Sequence, residues 1–258
     1  MTWPGGLSVV FPAYNEVGSI RFSVITAHAI LSELVAEFEI IVVSDGSTDG
    51  TDREVESLLP RFSNLRLIRK LENEGYGFAL RDGFRAARLP YVFFTDADRQ
   101  FDLVSLKDLL PHLEHNDIVI GYRLHRQDTV VRRLLSHGYN VVVRVLFDLD
   151  VRDVDCAFKI FRRGVFDRIQ IESPRFFVNT EILAKARALD LRIHQVGVRH
   201  LPRLQDLSKI GWWAIPETVR DLVMIRRALR GAAVAAKGAP AAPPPRDPLT
   251  VPRDSAKS

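Results

Sequence analysis

YVFFTDADRQ, Tyr91 to Gln100, is the stretch on which the reading of this chain turns: five β-prone residues run without a break into two aspartates. An unbroken aromatic and β-branched run marks a strand buried on both faces, and Pro90 stands where such a strand can begin. If the extended conformation continues past Thr95, strand alternation sends Asp96 and Asp98 to the same side. Two hard oxygen donors on one side suit Mg²⁺ or Mn²⁺, which takes one or two protein carboxylates and completes its shell with phosphate oxygen and water. The plain alternative is a turn with two solvated aspartates, because Asp-x-Asp alone is common.

Upstream, strand and helix signals alternate. Leu7 to Phe11 reads as extended, and Ile20, Val24, Ala27, Leu31 and Leu34 repeat at helical spacing through Val35. A strand at Glu39 to Ser44 leads into the turn Asp45 to Gly50, and Thr51 with Glu54 has capping-box spacing for the next helix. Leu65 to Arg69 alternates as a strand, and Gly75 and Gly77 precede a helix through Arg88. Downstream, a helix near Ser105 to Leu113 and a strand at Asp117 to Gly121 follow. This order predicts an α/β fold, a mostly parallel sheet with helices on both faces, which binds ligands beyond the carboxyl ends of its strands. Tyr14 to Glu16, Asp45 and Asp96 all stand at such ends.

The second half is less regular: a basic and apolar helix at Val130 to Phe147, a segment Arg152 to Arg163, a helix around Glu181 to Ala188, and an alternating strand Leu191 to Val198. A last helix is expected after Pro216. Beyond Arg230 the Ala- and Pro-rich composition predicts a disordered tail, 231–258. One domain over 1–230 is expected, with a donor half at about 7–123 and an acceptor half at about 124–230.

Composition bounds the function. With 47% hydrophobic and 26% charged residues the chain reads as an ordinary globular protein, and no apolar run reaches the roughly 18 residues of a membrane span. The N-terminal MTWPGG does not resemble a signal peptide, so a cytoplasmic location is expected. A single cysteine, Cys156, excludes an internal disulfide and a cysteine-cluster metal site. Net charge +4 favours anionic partners without choosing among them. Neither GxxxxGK[ST] nor GxGxxG is present, which removes the kinase and dehydrogenase readings. A phosphatase with Asp96 as nucleophile would leave the two upstream turns unexplained.

PAYNE at Pro12 to Glu16, SDGSTD at Ser44 to Asp49 and DADRQ at Asp96 to Gln100 are weak motifs singly and specific in this order on these strand ends. With NEGYGFALRDGF at Asn73 to Phe84, they resemble the family 2 glycosyltransferases of the GT-A, Rossmann-like nucleotide-sugar fold, over roughly residues 7 to 210. The resemblance implies that Pro12, Tyr14, Glu16 and Asp45 line a nucleoside pocket, and that Asp96 and Asp98, with Gln100 nearby, hold the metal. The family usually has two acids where this chain has Ser44 and Asp45. VRDVDCAFKIFRRGVFDRI, Val151 to Ile169, and FFVNTEILAKA, Phe176 to Ala186, are similar to the branch that makes polyprenyl-phosphate sugars, such as dolichyl-phosphate mannose synthases. That likeness places phosphate contacts at Arg123, Arg203, Ser208 and Lys209, and an acid near the acceptor at Glu181, while Asn179 replaces a common aspartate.

The expected reaction is therefore inverting transfer of one hexose from a nucleotide diphosphate sugar, GDP-mannose or a UDP-hexose, to a polyprenyl phosphate, with Asp98, Arg123 and Glu181 as candidate catalytic residues. A phosphate acceptor is already a dianion near neutral pH, so this site needs cations more than a base. A family 2 transferase acting on a sugar or protein hydroxyl, and a catalytically silent nucleotide-sugar-binding subunit, stay open. The Val130 to Phe147 helix suits a bilayer surface or packing on the sheet, and the two do not exclude each other; Trp212 and Trp213 near basic Arg226, Arg227 and Arg230 suit a second bilayer contact. A peripheral enzyme on the cytoplasmic face is expected, alone or held by a separate membrane protein, with no nucleic-acid partner.

Overall fold

A computed structural model of the chain describes residues 2–124, 130–201, 220, 222, 223, 225 and 226. Seven strands make one sheet: β1 Trp3–Ala13, β2 Val35–Asp45, β3 Leu65–Lys70, β4 Tyr91–Thr95, β5 Ile118–Leu124, β6 Phe158–Arg162 and β7 Ile193–Arg199. Their spatial order is β3-β2-β1-β4-β6-β5-β7. β1 pairs in parallel with β2 and β4, β2 with β3, and β5 with β7. Among the described residues seven helices connect them: α1 Ile20–Leu34, α2 Thr51–Glu56, α3 Tyr76–Ala86, α4 Leu106–Leu109, α5 Val130–Phe147, α6 Val165–Arg168 and α7 Val178–Ala188.

Helices cover both faces because β1, β2 and β4 are apolar on both sides. Val9, Phe11, Ile40, Val42 and Phe93 pack with α1, α2 and α4, while Val10, Ile41, Val43, Val92 and Phe94 pack with α3, α5 and α7. The Tyr91 strand is where the unbroken run placed it, with Val92, Phe93 and Phe94 fully buried.

Four local expectations change. β6, within the segment Arg152 to Arg163, is a strand, antiparallel to both β4 and β5; buried Lys159 interrupts the apolar pattern that would have marked it. The expected helix at Ser105 to Leu113 is the short α4 between 3₁₀ turns Leu103–Ser105 and Leu110–Glu114, since Pro111 has no N–H to continue an α ladder. The Thr51–Glu54 capping box does not form. Instead Gly50 caps α2, and the Thr51 hydroxyl and N–H both donate to Asp49 Oδ1, at 2.6 and 2.9 Å. Gly77 lies inside the first turn of α3 rather than before it.

Candidate active site

The parallel strands β1, β2 and β4 end side by side, and the three turns that follow them share one edge of the sheet. The first two interlock. Asn15, at φ 55, accepts the Thr48 N–H through Oδ1 at 2.9 Å, and its own N–H donates to Ser47 Oγ at 3.1 Å. Glu16 N–H donates to Thr51 Oγ1 at 2.8 Å and Val17 N–H to Asp49 Oδ2 at 3.0 Å. Burial opposes ionisation of Asp49, but the Thr51 hydroxyl and the N–H groups of Val17 and Thr51 outweigh it and hold the carboxyl below its usual value.

The third turn does not continue the strand. β4 stops at Thr95, and Arg99 adopts φ 66, so the strand alternation expected to send Asp96 and Asp98 to one side does not extend to them. The turn is tied to α1 instead: Ser23 Oγ donates to Ala97 O at 2.8 Å, and the Arg99 guanidinium lies 3.6 Å over the Phe22 ring. Asp98 Oδ1 accepts the Gln100 N–H at 3.2 Å. Non-glycine residues at positive φ in two adjoining turns store strain where the surroundings hold them.

Asp96 is the electrostatic centre. Burial and the Asp98 carboxylate push its pKa up to about 7, against a hydrogen bond from Tyr76 and the charge of Lys159; Glu16 pushes it further up. Asp98 and Glu16 both act on Asp96, which places each of them within electrostatic reach of it. Tyr76 Oη donates to Asp96 Oδ1 at 2.8 Å, and burial together with the Asp96 charge holds this phenol well above its usual pKa, so it remains a donor at neutral pH. Among the described residues no three His, Cys, Asp or Glu side chains form a metal cluster. The donor set that is present, two mutually repelling carboxylates, fits a hard cation that draws its remaining oxygens from a diphosphate and water.

β6 brings a second group to the same edge. Because Thr95 pairs with Phe158 in antiparallel register, the segment before β6, Asp153 to Ala157, lies beyond the end of β4. Lys159 is buried, donating to Asn179 Oδ1 at 2.8 Å and to Cys156 O, and burial lowers its pKa. Burial and Asp153 push the Cys156 thiol up to about 12, so it is inert.

The other expected residues divide. Pro12 is buried in β1 and Tyr14 is 39% exposed beyond it. Asp45 is 2% exposed, and its two oxygens accept the N–H groups of Glu74 and Gly75 at 3.1 and 2.7 Å, with Lys70 Nζ at 3.4 Å. It therefore clamps the entry to α3. Arg123 is committed to Asp153, donating from Nε and Nη2 at 2.7 and 2.8 Å, and this partner raises the guanidinium pKa despite burial. Glu181 is fully buried; it accepts the N–H groups of Glu172 and Ser173 at 2.9 and 2.8 Å and Lys185 Nζ at 2.7 Å. Gln100 is half-buried, its carbonyl accepting the Leu201 N–H at 2.8 Å. Arg203, Ser208, Lys209, Trp212, Trp213, Arg227 and Arg230 lie outside the described residues. Tyr76, Asp153 and Lys159 were not singled out from the sequence; the glycines on either side of Tyr76 were the available sign of close backbone approach.

The family model described as Glycosyl transferase family 2 matches residues 8–170. A dolichyl-phosphate beta-glucosyltransferase of Dictyostelium discoideum is 33% identical over 213 residues, covering 74% of this chain and 65% of the relative. The chain thus spans a little under two thirds of that relative's length. The protein of the same name from Drosophila melanogaster is 32% identical over 244 residues, covering 85% of this chain and 74% of the relative. A glucosyl-3-phosphoglycerate synthase from Mycobacterium tuberculosis, crystallised with Mn²⁺ and UDP-glucose, superposes with a TM-score of 0.67 at 20% identity, covering 88% of this chain and 79% of that one. That likeness is one of fold, the GT-A arrangement. The expected likeness to mannose synthases is not supported at the level of the sugar: both relatives are named for glucose.

Proposed function

Since the chain belongs to glycosyl transferase family 2, we propose that it transfers a hexose, in first place glucose from UDP-glucose, to a polyprenyl phosphate. Asp96 and Asp98 would hold a divalent cation, Mg²⁺ or Mn²⁺, whose chemistry when bound is to neutralise the leaving diphosphate. The interlocked turns after β1 and β2 form the wall on which the nucleoside half of the donor rests. An acceptor phosphate oxygen attacks the anomeric carbon as the bond to the diphosphate breaks on the opposite side, which inverts the configuration.

The observation that carries the acceptor assignment is Glu181. Transfer to a hydroxyl requires a group that removes a proton, and the acid expected beside the acceptor has both oxygens engaged by backbone N–H groups and Lys185. A phosphate dianion arrives without that proton. The names of the relatives support the same reading. No described helix is long and apolar enough to cross a membrane, and α5 exposes Val141, Val142 and Val145 along one side, which suits attachment at a lipid surface.

The deciding experiment offers labelled UDP-glucose, GDP-mannose and UDP-galactose with a polyprenyl phosphate and Mn²⁺. Label in extractable lipid from UDP-glucose is expected. Label only in sugar or protein hydroxyls would establish the hydroxyl-acceptor enzyme, and donor binding without turnover a silent subunit.

A further inference from the structure

The first turn of α3 is gripped on two sides. Before it, Asp45 accepts the N–H groups of Glu74 and Gly75. Behind it, the Gly77 N–H donates to Pro174 O at 2.8 Å, and Glu181 ties down the same loop through the N–H groups of Glu172 and Ser173. The approach leaves no space for side chains: a Cβ on Gly75 would lie 2.3 Å from Pro174 O, and one on Gly77 would lie 2.0 Å from Ser173 O. Gly75 also adopts φ +106, which favours glycine. Tyr76 stands between these two glycines, and its hydroxyl donates to Asp96 Oδ1 at 2.8 Å. A tyrosine side chain has two torsions, so a backbone held at both neighbours confines the hydroxyl to a small region.

We infer that Tyr76 is a positioning residue for the carboxylate that holds the cation: its hydroxyl occupies Asp96 Oδ1, orients the group, and leaves Oδ2 to the cation. Hydrogen bonds to ligating carboxylates act in this way at metal sites. Asp45 and Glu181, through the backbone they clamp, set where that hydroxyl stands. The inference rests on the metal reading above and deepens it.

The test is Tyr76→Phe in the full chain, with free Mn²⁺ followed by its electron paramagnetic resonance signal, with and without UDP. The variant is expected to bind Mn²⁺ about tenfold to a hundredfold more weakly, with far-UV dichroism unchanged and a melting temperature lower by several degrees for the lost hydrogen bond to Asp96. If wild type binds Mn²⁺ and the variant binds it equally well, the positioning role is wrong and the metal reading stands. If wild type binds none, both are overturned. Should the variant not fold, 3-fluorotyrosine-labelled wild type replaces it. One of its five tyrosine resonances should move on adding Mg²⁺, survive Tyr14→Phe, and stay still in Asp96→Asn. No moving resonance in wild type that binds Mg²⁺ overturns the inference.

Discussion

At the scale of single residues, Asp98→Asn is expected to abolish transfer and leave the fold intact. The amide oxygen can still accept the Gln100 N–H, so the turn keeps its shape while the charge needed for a cation is gone. Near wild-type transfer at saturating donor and Mn²⁺ would remove Asp98 from the metal site. Asp96 gives a pH dependence. Its folded pKa, about 7, stands above the ordinary 3.8, so the metal-free folded chain holds a proton that the unfolded chain releases. The stability this confers is complete below the ordinary value and is lost as pH rises through the folded one. A cation competes with that proton, so Mn²⁺ should raise the melting temperature more at about pH 8 than at about pH 5.5. Equal gains would mean that Asp96 does not ligate. Glu181→Gln should act mainly on stability. It places an NH₂ group against backbone donors, disturbing hydrogen bonds to a charged group worth about 1.5–3 kcal/mol. At about 2–4 °C per kcal/mol this is a fall of several degrees in melting temperature. A loss of transfer beyond about a hundredfold with the melting curve unmoved would make Glu181 a base after all.

At the scale of elements, two glycines in helices should respond in opposite directions. Gly77→Ala drives a Cβ into the backbone of the Ser173–Arg175 loop, and overpacking of this kind costs about 1–3 kcal/mol. Gly138, inside α5, has open space around its Cβ position, so Gly138→Ala should gain about 0.8–1 kcal/mol of helix propensity. Chemical denaturation of both variants reads the pair; destabilisation by Gly138→Ala would show that this face of α5 is covered in solution. β6 shows how an element escapes local reading. Its five residues include a lysine, and that lysine is tolerable only because Asn179 and the Cys156 carbonyl meet its ammonium.

At the scale of the whole molecule, membrane attachment must be reversible if it rests on α5 alone. Val145 is 78% exposed, with Val141 and Val142 beside it, and an apolar strip of that size adds to an electrostatic attraction of about 1 kcal/mol per basic residue. Flotation with anionic liposomes should recover the protein at low salt and lose it at high salt, and Val145→Glu should reduce recovery. Indifference of the wild type to anionic lipid would remove α5 as a membrane contact and favour a separate membrane protein as the attachment.

The periodicity of apolar residues determined the alternation of strands and helices, because burial on two faces leaves a local imprint along the chain. The strand ending at Thr95 and the turns after β1, β2 and β4 were legible for that reason, and the order of those strand ends placed Asp96, Asp98 and Glu16 on one edge. What each polar side chain does was decided only by tertiary structure. Asp45, Arg123 and Glu181 read as ligand contacts, and each proves engaged by a partner 29 to 30, 30, and 8 to 9 residues away, respectively. Tyr76 reaches Asp96 across 20 residues. Only the Glu181–Lys185 pair, four residues apart on α7, has a spacing the sequence records; the other counterparts of these buried groups stand wherever the fold brings them.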